Sequence, residues 1–378
     1  MLNDITLRNF KAFSEITVPL GNLTLLTGLN SSGKSTVLHA LGLLRQSWEA
    51  GTLLSQPHLD SGFALNGDMV ELGTGRDARH EAWVATDQSG AGNIEIAVSG
   101  STENLDGKWS WSAGYAADDD FLEFTGEPFD TDWLNLALFS DGFQYLRADR
   151  INPAASYPRS TRSRRGFLGA RGEYTVNVLR QHQDDETVQL VHHPAAISAT
   201  LLRQTEAWLG HLCPGINLTA SGIEGTDTVQ LAYSHGTGGI KSSNKYRPTN
   251  VGFGLTYVLP IIVACLTASP DGLIMIENPE AHLHPRGQSA MAELIVRAAA
   301  TGAQVIVESH SDHVLNGIRI AVKQNLLSPT SLRLLYFRNN IDSNTPFEMI
   351  NVGPTGTISQ WPEGFFDEWD RALDDLID

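Results

Sequence analysis

The sequence has little cysteine, few charged residues and no long apolar run. Its two cysteines, Cys213 and Cys265, are too few for a disulfide framework or a zinc site, and their apolar neighbours favour buried thiols in a reducing cytosol. The longest apolar run, 258–266, is too short to span a bilayer, and the first residues carry no signal-peptide pattern. We therefore expect a soluble, cytoplasmic protein that does not enter the membrane.

Basic residues are also scarce. Lysine and arginine number 26 against 43 acidic residues, which gives a formal net charge of -17. Charged residues make up 18% of the chain, below the usual value of about 25%. This balance argues against non-specific coating of DNA by the whole surface, although it leaves room for one local basic groove. A chain of 378 residues can form one large α/β domain with insertions, or two domains.

The most informative feature that is present lies at residues 28–35, which read Gly-Leu-Asn-Ser-Ser-Gly-Lys-Ser. They fit the phosphate-binding loop pattern G-x-x-x-x-G-K-[ST] at every fixed position. An apolar stretch of strand length, 23–27, precedes the loop, and residues 36–44 follow it with the apolar spacing of a helix. A strand, a glycine-rich loop and a helix in this order predict a site for the phosphates of a nucleotide.

Each residue type in this loop has a physical task. Glycines let backbone N–H groups close around the β-phosphate, and the helix N-terminus adds a partial positive charge. Lys34 is predicted to reach the β- and γ-phosphates of ATP, the Ser35 hydroxyl to ligate Mg²⁺, and Thr36 to support the α-phosphate region. The predicted nucleotide-binding residues of this segment are Gly28, Asn30, Ser31, Ser32, Gly33, Lys34, Ser35 and Thr36.

The second half of such a site is predicted much later in the chain. Residues 273–276 form an apolar run that ends in Glu277, as is typical of a buried central strand of a parallel sheet. An acid at the end of that strand is predicted to face the phosphate loop of the neighbouring strand and to hold the Mg²⁺ shell. A further strand, 304–307, is followed by Glu-Ser-His-Ser, which places His310 where it can sense the γ-phosphate.

Two groups of residues raise the question of a different metal. Four histidines admit a zinc site beside Glu277 and Glu280, but their spacing follows no common zinc motif. The run Asp118–Asp120 is more typical of a solvated acidic turn than of a metal site, because no other ligand spacing accompanies it. The histidines concerned are His282, His284, His310 and His313.

The middle of the chain differs in character from its two ends. Residues 62–146 contain short strand-like segments separated by glycine, asparagine and aspartate, which predicts an antiparallel insertion. Helical patterns follow within 173–212, and strand-like patterns within 216–246. The predicted strands of the insertion include 83–85, 94–98 and 109–111, and an opening hairpin is predicted within 1–19.

Residues 147–171 form a basic island in an otherwise acidic chain. Serine, proline and glycine fill its gaps, so a loop is predicted, and the planar guanidinium group suits phosphate contacts. Two interpretations stay open: a contact with nucleic acid, nucleotide or an acidic partner, or a loop whose arginines offset neighbouring carboxylates. The arginines are Arg147, Arg150, Arg159, Arg162, Arg164, Arg165 and Arg171.

Together these motifs resemble the ABC-class ATPases of the RecF, SMC and OLD type, and most closely a set of compact prokaryotic ATPases. The carriers are the phosphate loop, Glu-Asn-Pro-Glu-Ala-His-Leu-His-Pro at 277–285, Glu-Ser-His-Ser at 308–311, the opening 7–13 and the tail 361–368. The resemblance implies an α/β fold: an ABC-type P-loop nucleotide-binding head with a mostly parallel central sheet, an antiparallel β insertion and a helical subdomain.

On this basis the chain is divided into five segments. The first two are 1–60, the N-terminal part of the head with the phosphate loop, and 61–146, its antiparallel part. The others are 147–245, the arginine-rich loop and helical subdomain, 246–325, the C-terminal part of the head, and 326–378, a strand and an aromatic tail.

The resemblance also implies a signature motif that completes the ATP site of a second protomer. The best candidate is 249–256, where two glycines would let a helix N-terminus approach the γ-phosphate. A homodimer that holds two ATP molecules is then the minimum assembly. The residues implied for this contact are Asn250, Gly252, Gly254 and, in a loop that would cross the interface, His282; Asp77 is implied as a metal-sensing residue.

One departure from the family concerns the catalytic carboxylate. Relatives often end the strand in Asp-Glu, where Asp holds the Mg²⁺ shell and Glu orients the attacking water, whereas this chain has Glu277-Asn278. Asn278 can orient a water but, as a neutral amide, cannot accept its proton. Either hydrolysis is slow, or Glu280 or His282 substitutes. The predicted catalytic set is Glu277, Asn278, Glu280 and His310.

The favoured hypothesis is a slow ATPase that acts as a dimeric switch. The resemblance implies the sensor subunit of a prokaryotic anti-phage defence system with a separate effector such as a nuclease. The alternative is a RecF-like DNA-repair ATPase that binds DNA through Arg159, Arg162, Arg164 and Arg165, against which the acidic balance weighs. A transporter subunit, kinase or GTPase fits less well, because the Leu-Ser-Gly-Gly-Gln and Asn-Lys-x-Asp motifs are missing.

The neutral amide of Asn278 leads to a prediction about turnover. We expect steady-state ATP hydrolysis below about 1 s⁻¹, near the lower end for phosphoryl-transfer enzymes, because positioning and electrostatics act without a strong base. A coupled assay of phosphate release with saturating Mg·ATP measures it. Turnover well above that value would show that this chain is not a slow switch.

Overall fold

The computed structural model describes residues 1–54, 60–82, 92–101, 106–126, 131–160, 167–236, 243–338, 346–362, 365–366 and 376. The helices of these residues are α1 (Lys34–Glu49), α2 (Gly75–Ala78), α3 (Thr175–His182), α4 (Leu201–Leu209), α5 (Phe253–Leu266), α6 (Pro285–Ala300) and α7 (Asp312–Lys323). The strands are β1 (Leu2–Phe10), β2 (Phe13–Pro19), β3 (Leu23–Gly28), β4 (Gly62–Ala64), β5 (Ile94–Ser101), β6 (Asp106–Ala113), β7 (Phe121–Glu123), β8 (Gln144–Leu146), β9 (Tyr157–Pro158), β10 (Ile216–Gly222), β11 (Thr228–His235), β12 (Leu273–Glu277), β13 (Gln304–Glu308), β14 (Leu332–Phe337) and β15 (Phe347–Ile350).

A six-stranded sheet in the order β15-β14-β3-β13-β12-β8 lies at the centre of the fold. The strands from β14 to β8 run parallel to their neighbours, and β15 pairs antiparallel with β14 at one edge. Every residue of β12 and β13 is buried, as expected for apolar strands covered on both faces. The predicted mostly parallel α/β sheet is confirmed, and the carboxyl ends of its parallel strands lie at one edge.

Different layers cover the two faces of this sheet. Ile274 and Ile276 of β12 belong to a hydrophobic cluster that includes residues of α3 to α7. Leu273 and Met275 alternate with them along the strand and join a second cluster, with α1 and strands β1, β2, β5 and β6. The helices of the predicted helical subdomain, α3 and α4, therefore pack on the same core as the rest of the head.

The apolar run 258–266 forms most of α5. Leu255–Leu266 of this helix are buried in the first hydrophobic cluster, so its uniform apolarity reflects a central position in the protein. Among the described helices, none has the length and hydropathy needed to cross a bilayer.

A four-stranded antiparallel sheet, β2-β1-β5-β6, contains the predicted opening hairpin and two strands of the predicted insertion. The strand predicted at 83–85 lies outside the described residues. Within the segment 61–146, β8 does not belong to the insertion, because it pairs parallel with β12 in the central sheet. The strand-like patterns within 216–246 correspond to β10 and β11.

Gly28, the last residue of β3, lies where β3 and β14 come very close together. A Cβ placed on it would lie 2.1 Å from the carbonyl oxygen of Phe337 on β14, and its φ is +131°. The packing of the neighbouring strand therefore requires glycine here independently of any phosphate. Gly51 also has a positive φ, +78°, but a Cβ there would have no neighbour within 4 Å.

We predict that Gly28→Ala is much more destabilising than Gly51→Ala. Gly51→Ala should cost about 1–2 kcal/mol of unfolding free energy, the cost of an L-residue in the left-handed region. Gly28→Ala adds a clash with backbone, so about 3 kcal/mol or more is expected when an overpacking cost is included. Denaturant and thermal unfolding of both variants measure this difference. Equal stability of the two would show that β14 does not restrict this position.

Candidate functional site

The site lies at the carboxyl edge of the central sheet, where β3, β13 and β12 end. A cleft of about 570 Å³ opens there, and the phosphate loop forms one wall of it. The structure brings ten of the predicted site residues into the lining of this cleft. They are Asn30, Ser31, Ser32, Gly33, Lys34, Ser35, Thr36, Asp77, Asn278 and His310.

The phosphate loop wraps around the ammonium group of Lys34. Lys34 Nζ donates to the carbonyl oxygens of Gly28 at 3.1 Å and Leu29 at 2.5 Å, and lies 3.4 Å from Ser32 Oγ. Gly28, Ser31 and Gly33 have φ values of 131°, 61° and 93°, which turn the backbone around this group. Burial lowers the pKa of Lys34, and nearby Glu308 opposes that shift. The loop thus holds one cation at the N-terminus of α1.

Glu308 is the last residue of β13 and the first residue of the Glu-Ser-His-Ser motif. The sequence motif predicts no role for it, but its side chain lines the cleft. Its Oε1 accepts a hydrogen bond from Ser35 Oγ at 3.0 Å and lies 4.0 Å from His310 Nε2. The residue is 6% exposed, and its Oε2 has no hydrogen-bond partner among the described residues. Burial and then the charge of Glu277 raise its pKa to about 7.

Glu277 is also buried, but it lies behind the cleft. Its Oε1 accepts a hydrogen bond from the Tyr145 hydroxyl at 2.5 Å, and its Oε2 accepts one from the backbone N–H of Ala148 at 2.9 Å. The expectation that its strand neighbours the phosphate-loop strand is wrong, because β13 lies between β12 and β3. Strand order is a long-range property that the local apolar pattern does not contain. The carboxylate next to Ser35 is therefore that of Glu308.

Arg150 holds the backbone at the end of β12. Its Nη1 donates to the carbonyl oxygen of Glu277 at 2.6 Å, and its Nη2 donates to that of Asn278 at 2.7 Å. The guanidinium carbon lies 4.1 Å from the ring centroid of Tyr257, and the residue is 2% exposed. This contact fixes both peptide carbonyls around Asn278, whose φ of 45° is left-handed.

The rest of the arginine island divides into two parts. Arg147 pairs with Glu71 and Asp149, and Arg171 pairs with Asp149, so these cations, like buried Arg150, are engaged by the head itself. This favours the interpretation in which they offset neighbouring carboxylates. Arg159 is exposed. Arg162, Arg164 and Arg165 lie outside the described residues.

Glu280, predicted as a substitute base, binds the turn after β13. Its Oε1 accepts from the backbone N–H of His310 at 2.7 Å, and its Oε2 accepts from Ser309 Oγ at 2.9 Å. Both carboxylate oxygens are therefore occupied in joining the ends of β12 and β13. Asn278 lines the cleft, and its Oδ1 is buried without a hydrogen-bond partner among the described residues.

The predicted signature residues lie away from the cleft of their own protomer. Asn250 and Gly252 are exposed. A Cβ on Gly254 would lie 2.7 Å from the carbonyl oxygen of His282, whose ring lies 4.5 Å from that of Phe253. The signature segment and the loop at 281–284 therefore form one continuous surface.

The zinc interpretation finds no support in the described part of the chain. His284 caps α6 by accepting from the backbone N–H of Arg286, and His282 packs on Phe253 and Tyr257. In that part, no three histidine, cysteine, aspartate or glutamate side chains form a metal-binding group. Asp118 of the acidic turn forms an exposed ion pair with Arg76.

Two further cavities lie elsewhere on the head. One of about 500 Å³ is lined by residues such as Asp141, His182 and Leu266, and the other, of about 880 Å³, includes the acidic turn. Neither is lined by a predicted catalytic or nucleotide-binding residue, so we assign the site to the cleft that the phosphate loop lines.

A lysine–histidine pair in the cleft was not foreseen. Lys11 Nζ lies 3.0 Å from Nδ1 of His39, which projects from α1, and both residues line the cleft. Burial, Lys11 and Arg147 together lower the pKa of His39 to about 4, so the imidazole is neutral and accepts from the ammonium group. Lys11 belongs to the opening motif 7–13. It lies near Asp77 and the phosphate loop because of the turn between β1 and β2, and a local sequence pattern does not predict that contact.

Comparisons with known proteins agree with this geometry. Residues 1–95 match a family described as an AAA ATPase domain. Residues 224–316 match one described as an AAA domain, with mention of an AbiEii toxin and a Type IV TA system. Residues 327–376 match a family described as a protein of unknown function, DUF3696. No curated protein matches the chain.

Solved structures define the fold. A structure of the SmcHead bound to the C-winged helix domain of ScpA is 13% identical, with a TM-score of 0.50 over 94% of this chain and 95% of that chain. The Smc head domain from Pyrococcus furiosus, with an extended coiled coil and bound to the C-terminal domain of ScpA, is 12% identical, with a TM-score of 0.50 over 100% and 99%. The chain has the fold of an SMC head. This ABC-type P-loop fold and the AAA domain matches support an ATPase.

The neutral state of His39 leads to a prediction about pH. Its folded pKa of about 4 lies below its ordinary value of 6.5, so on acidification the unfolded chain takes up this proton first. Stability should therefore fall as the pH drops from about 6.5 towards 4 and should be unaffected by this group above that window. His39→Gln keeps an acceptor for Lys11 without titrating, and its thermal unfolding temperature should fall less between about pH 7 and about pH 5 than that of the parent.

The control for this experiment is His313→Gln on the surface of α7, which should show the same fall as the parent. If His39→Gln and the parent lose stability in parallel over this range, His39 is not the residue responsible.

Proposed function

We propose that this protein binds Mg·ATP at the phosphate loop and acts as a slow, ATP-dependent dimeric switch. The observation that carries the proposal is the arrangement of the loop. Lys34 sits inside it at the N-terminus of the 16-residue helix α1, and buried Glu308 ends the adjacent strand. A helix N-terminus with a central lysine suits the phosphates of a nucleotide. The similarity to AAA ATPase domains supports hydrolysis of the bound ATP.

The residues present fit Mg²⁺. Ser35 Oγ and the carboxylate of Glu308 are hard oxygen ligands, and one Glu308 oxygen is buried without a partner among the described residues. Mg²⁺ is commonly held by one or two carboxylates while substrate phosphates and waters complete its shell. Bound there, the metal would neutralise charge on the β- and γ-phosphates.

The dimer is proposed from the surface that carries the signature segment. Asn250 and Gly252 are exposed at the N-terminus of α5, outside the cleft of their own protomer. His282 packs against the same helix start. In our proposal this surface contacts the γ-phosphate of ATP bound by a second protomer. Because Asn278 cannot take a proton from water, the ATP-bound dimer would persist.

We further propose that the switch is the sensor subunit of an anti-phage defence system and acts through a separate effector such as a nuclease. Support comes from the sequence resemblance and from the AAA match whose description mentions a toxin system. The SMC heads similar in fold were solved with domains of ScpA, a separate protein, which gives a precedent for a head that works through a partner. Because Arg147, Arg150 and Arg171 are engaged within the head, the RecF-like alternative rests on Arg159, Arg162, Arg164 and Arg165, and the acidic balance of the chain weighs against it.

The proposed dimer interface can be tested by placing a negative charge at Gly252. A Cβ on Gly252 would have no neighbour within 4 Å, and the residue is the N-cap of α5. Gly252→Asp should therefore fold normally, because aspartate and asparagine are both good N-caps. Its carboxylate would face the γ-phosphate across the interface, so ATP-dependent dimerisation should be lost, whereas Gly252→Asn should dimerise much more readily.

Two measurements separate binding from assembly. Light scattering with and without Mg·ATP reports the dimer, and equilibrium binding of ATP reports the cleft. Lys34→Ala should abolish both, whereas Gly252→Asp should abolish only the dimer. If Lys34→Ala binds ATP as tightly as the parent, ATP binding at this loop is refuted. If Gly252→Asp dimerises like Gly252→Asn, the signature surface is not the interface.

A further inference from the structure

Two buried carboxylates lie side by side at the site, and they are not equivalent. Glu277 and Glu308 are paired in register on parallel strands β12 and β13, so their side chains project from the same face of the sheet. Glu277 is 9% exposed and Glu308 is 6% exposed. Two negative charges this close in a poorly solvated place repel each other, and a cation between or beside them would relieve that repulsion.

The hydrogen bonds of Glu277 are complete. One of its oxygens accepts from the Tyr145 hydroxyl and the other from the backbone N–H of Ala148. Both donors come from β8 and the residues that follow it, on the side of β12 away from the phosphate loop. To coordinate a metal directly, Glu277 would have to give up at least one of these buried bonds, which costs free energy.

Glu308 has the opposite arrangement. Its Oε1 already accepts from the Ser35 hydroxyl, the group expected to ligate Mg²⁺, and its Oε2 is buried without a hydrogen-bond partner in the described residues. It lies on the strand adjacent to β3 and lines the cleft with Lys34. Because a buried, unsatisfied carboxylate oxygen is costly, a partner from outside the protein chain, a metal ion or a water, would stabilise it.

We propose that Glu308, together with Ser35, is the protein carboxylate that holds the Mg²⁺ of bound Mg·ATP, and that Glu277 supports it from behind. This inference rests on the proposed binding of Mg·ATP and specifies which side chain receives the metal. Glu277, fixed by Tyr145 and Ala148, contributes negative charge to the site and remains a positioning residue.

The matched variants are Glu308→Gln and Glu277→Gln in the full chain, because glutamine keeps the shape and one acceptor oxygen while removing the charge. Mn²⁺ serves as the probe, and the amount bound in the presence of saturating ATP is measured by electron paramagnetic resonance. Glu308→Gln should weaken Mn²⁺ binding by about 10–100-fold or more. Loss of a residue that only supports a metal ligand typically costs about 10–100-fold in affinity, and loss of a direct ligand should cost no less. Glu277→Gln should weaken it less.

The affinity for ATP in the presence of EDTA gives a second readout that separates metal from nucleotide. Glu308→Gln should bind metal-free ATP at least as tightly as the parent, because one negative charge near the phosphates is gone. Glu308→Asp, which keeps the charge on a shorter side chain, should retain part of the Mn²⁺ affinity. The Asp variant also provides the test if the Gln variant does not fold.

Several outcomes would overturn the inference. If Glu308→Gln binds Mn²⁺ as tightly as the parent, or if Glu277→Gln loses at least as much affinity, Glu308 is not the metal ligand, while ATP binding by the parent would leave the proposed function intact. If the parent binds no ATP under any condition, the proposed function fails and this inference fails with it.

Discussion

The site depends on the position of β13 between the phosphate-loop strand and β12. Because all three strands are parallel and in register, their carboxyl ends lie at the same edge of the sheet, with Glu308 beside Leu26 on one side and Glu277 on the other. Ser35 then meets Glu308 across the start of α1. A shift of β13 by one residue would turn Glu308 to the other face and separate these groups.

The charged groups of the cleft are poorly solvated, which disfavours their charged forms. Neighbouring groups of opposite charge partly offset this cost. Burial lowers the pKa of Lys34 and of Lys11 and raises that of Glu308, so burial disfavours the charged form of each group. The nearby acids stabilise the lysines, and Lys34 stabilises Glu308. In the proposed function, these charges are already in place for a ligand that brings both negative phosphates and a divalent cation, because each ligand charge meets a poorly solvated partner of opposite sign.

The sequence predicted the fold well and the site only in part. The phosphate loop, the opening hairpin and the strands at 273–277 and 304–308 follow from local patterns, since apolar runs and glycine positions act within a few residues. The order of the strands in the sheet is not local, which is why Glu277 was given the position that Glu308 occupies. The Lys11–His39 contact was missed for the same reason, because it joins residues that no periodic pattern connects.

Arg150 shows that a cluster of basic residues in the sequence does not establish which groups those residues contact in the fold. In the sequence it belongs to a basic island that suggests nucleic acid, yet the fold buries it on Tyr257 with its donors on the carbonyls of Glu277 and Asn278. Its Nε remains buried without a hydrogen-bond partner in the described residues, so the guanidinium group is not fully satisfied by these carbonyl oxygens. What the buried cation does secure is the left-handed backbone at Asn278, a conformation that an L-residue adopts only at a cost. The position of the Asn278 amide in the cleft therefore depends on an arginine from a distant part of the chain.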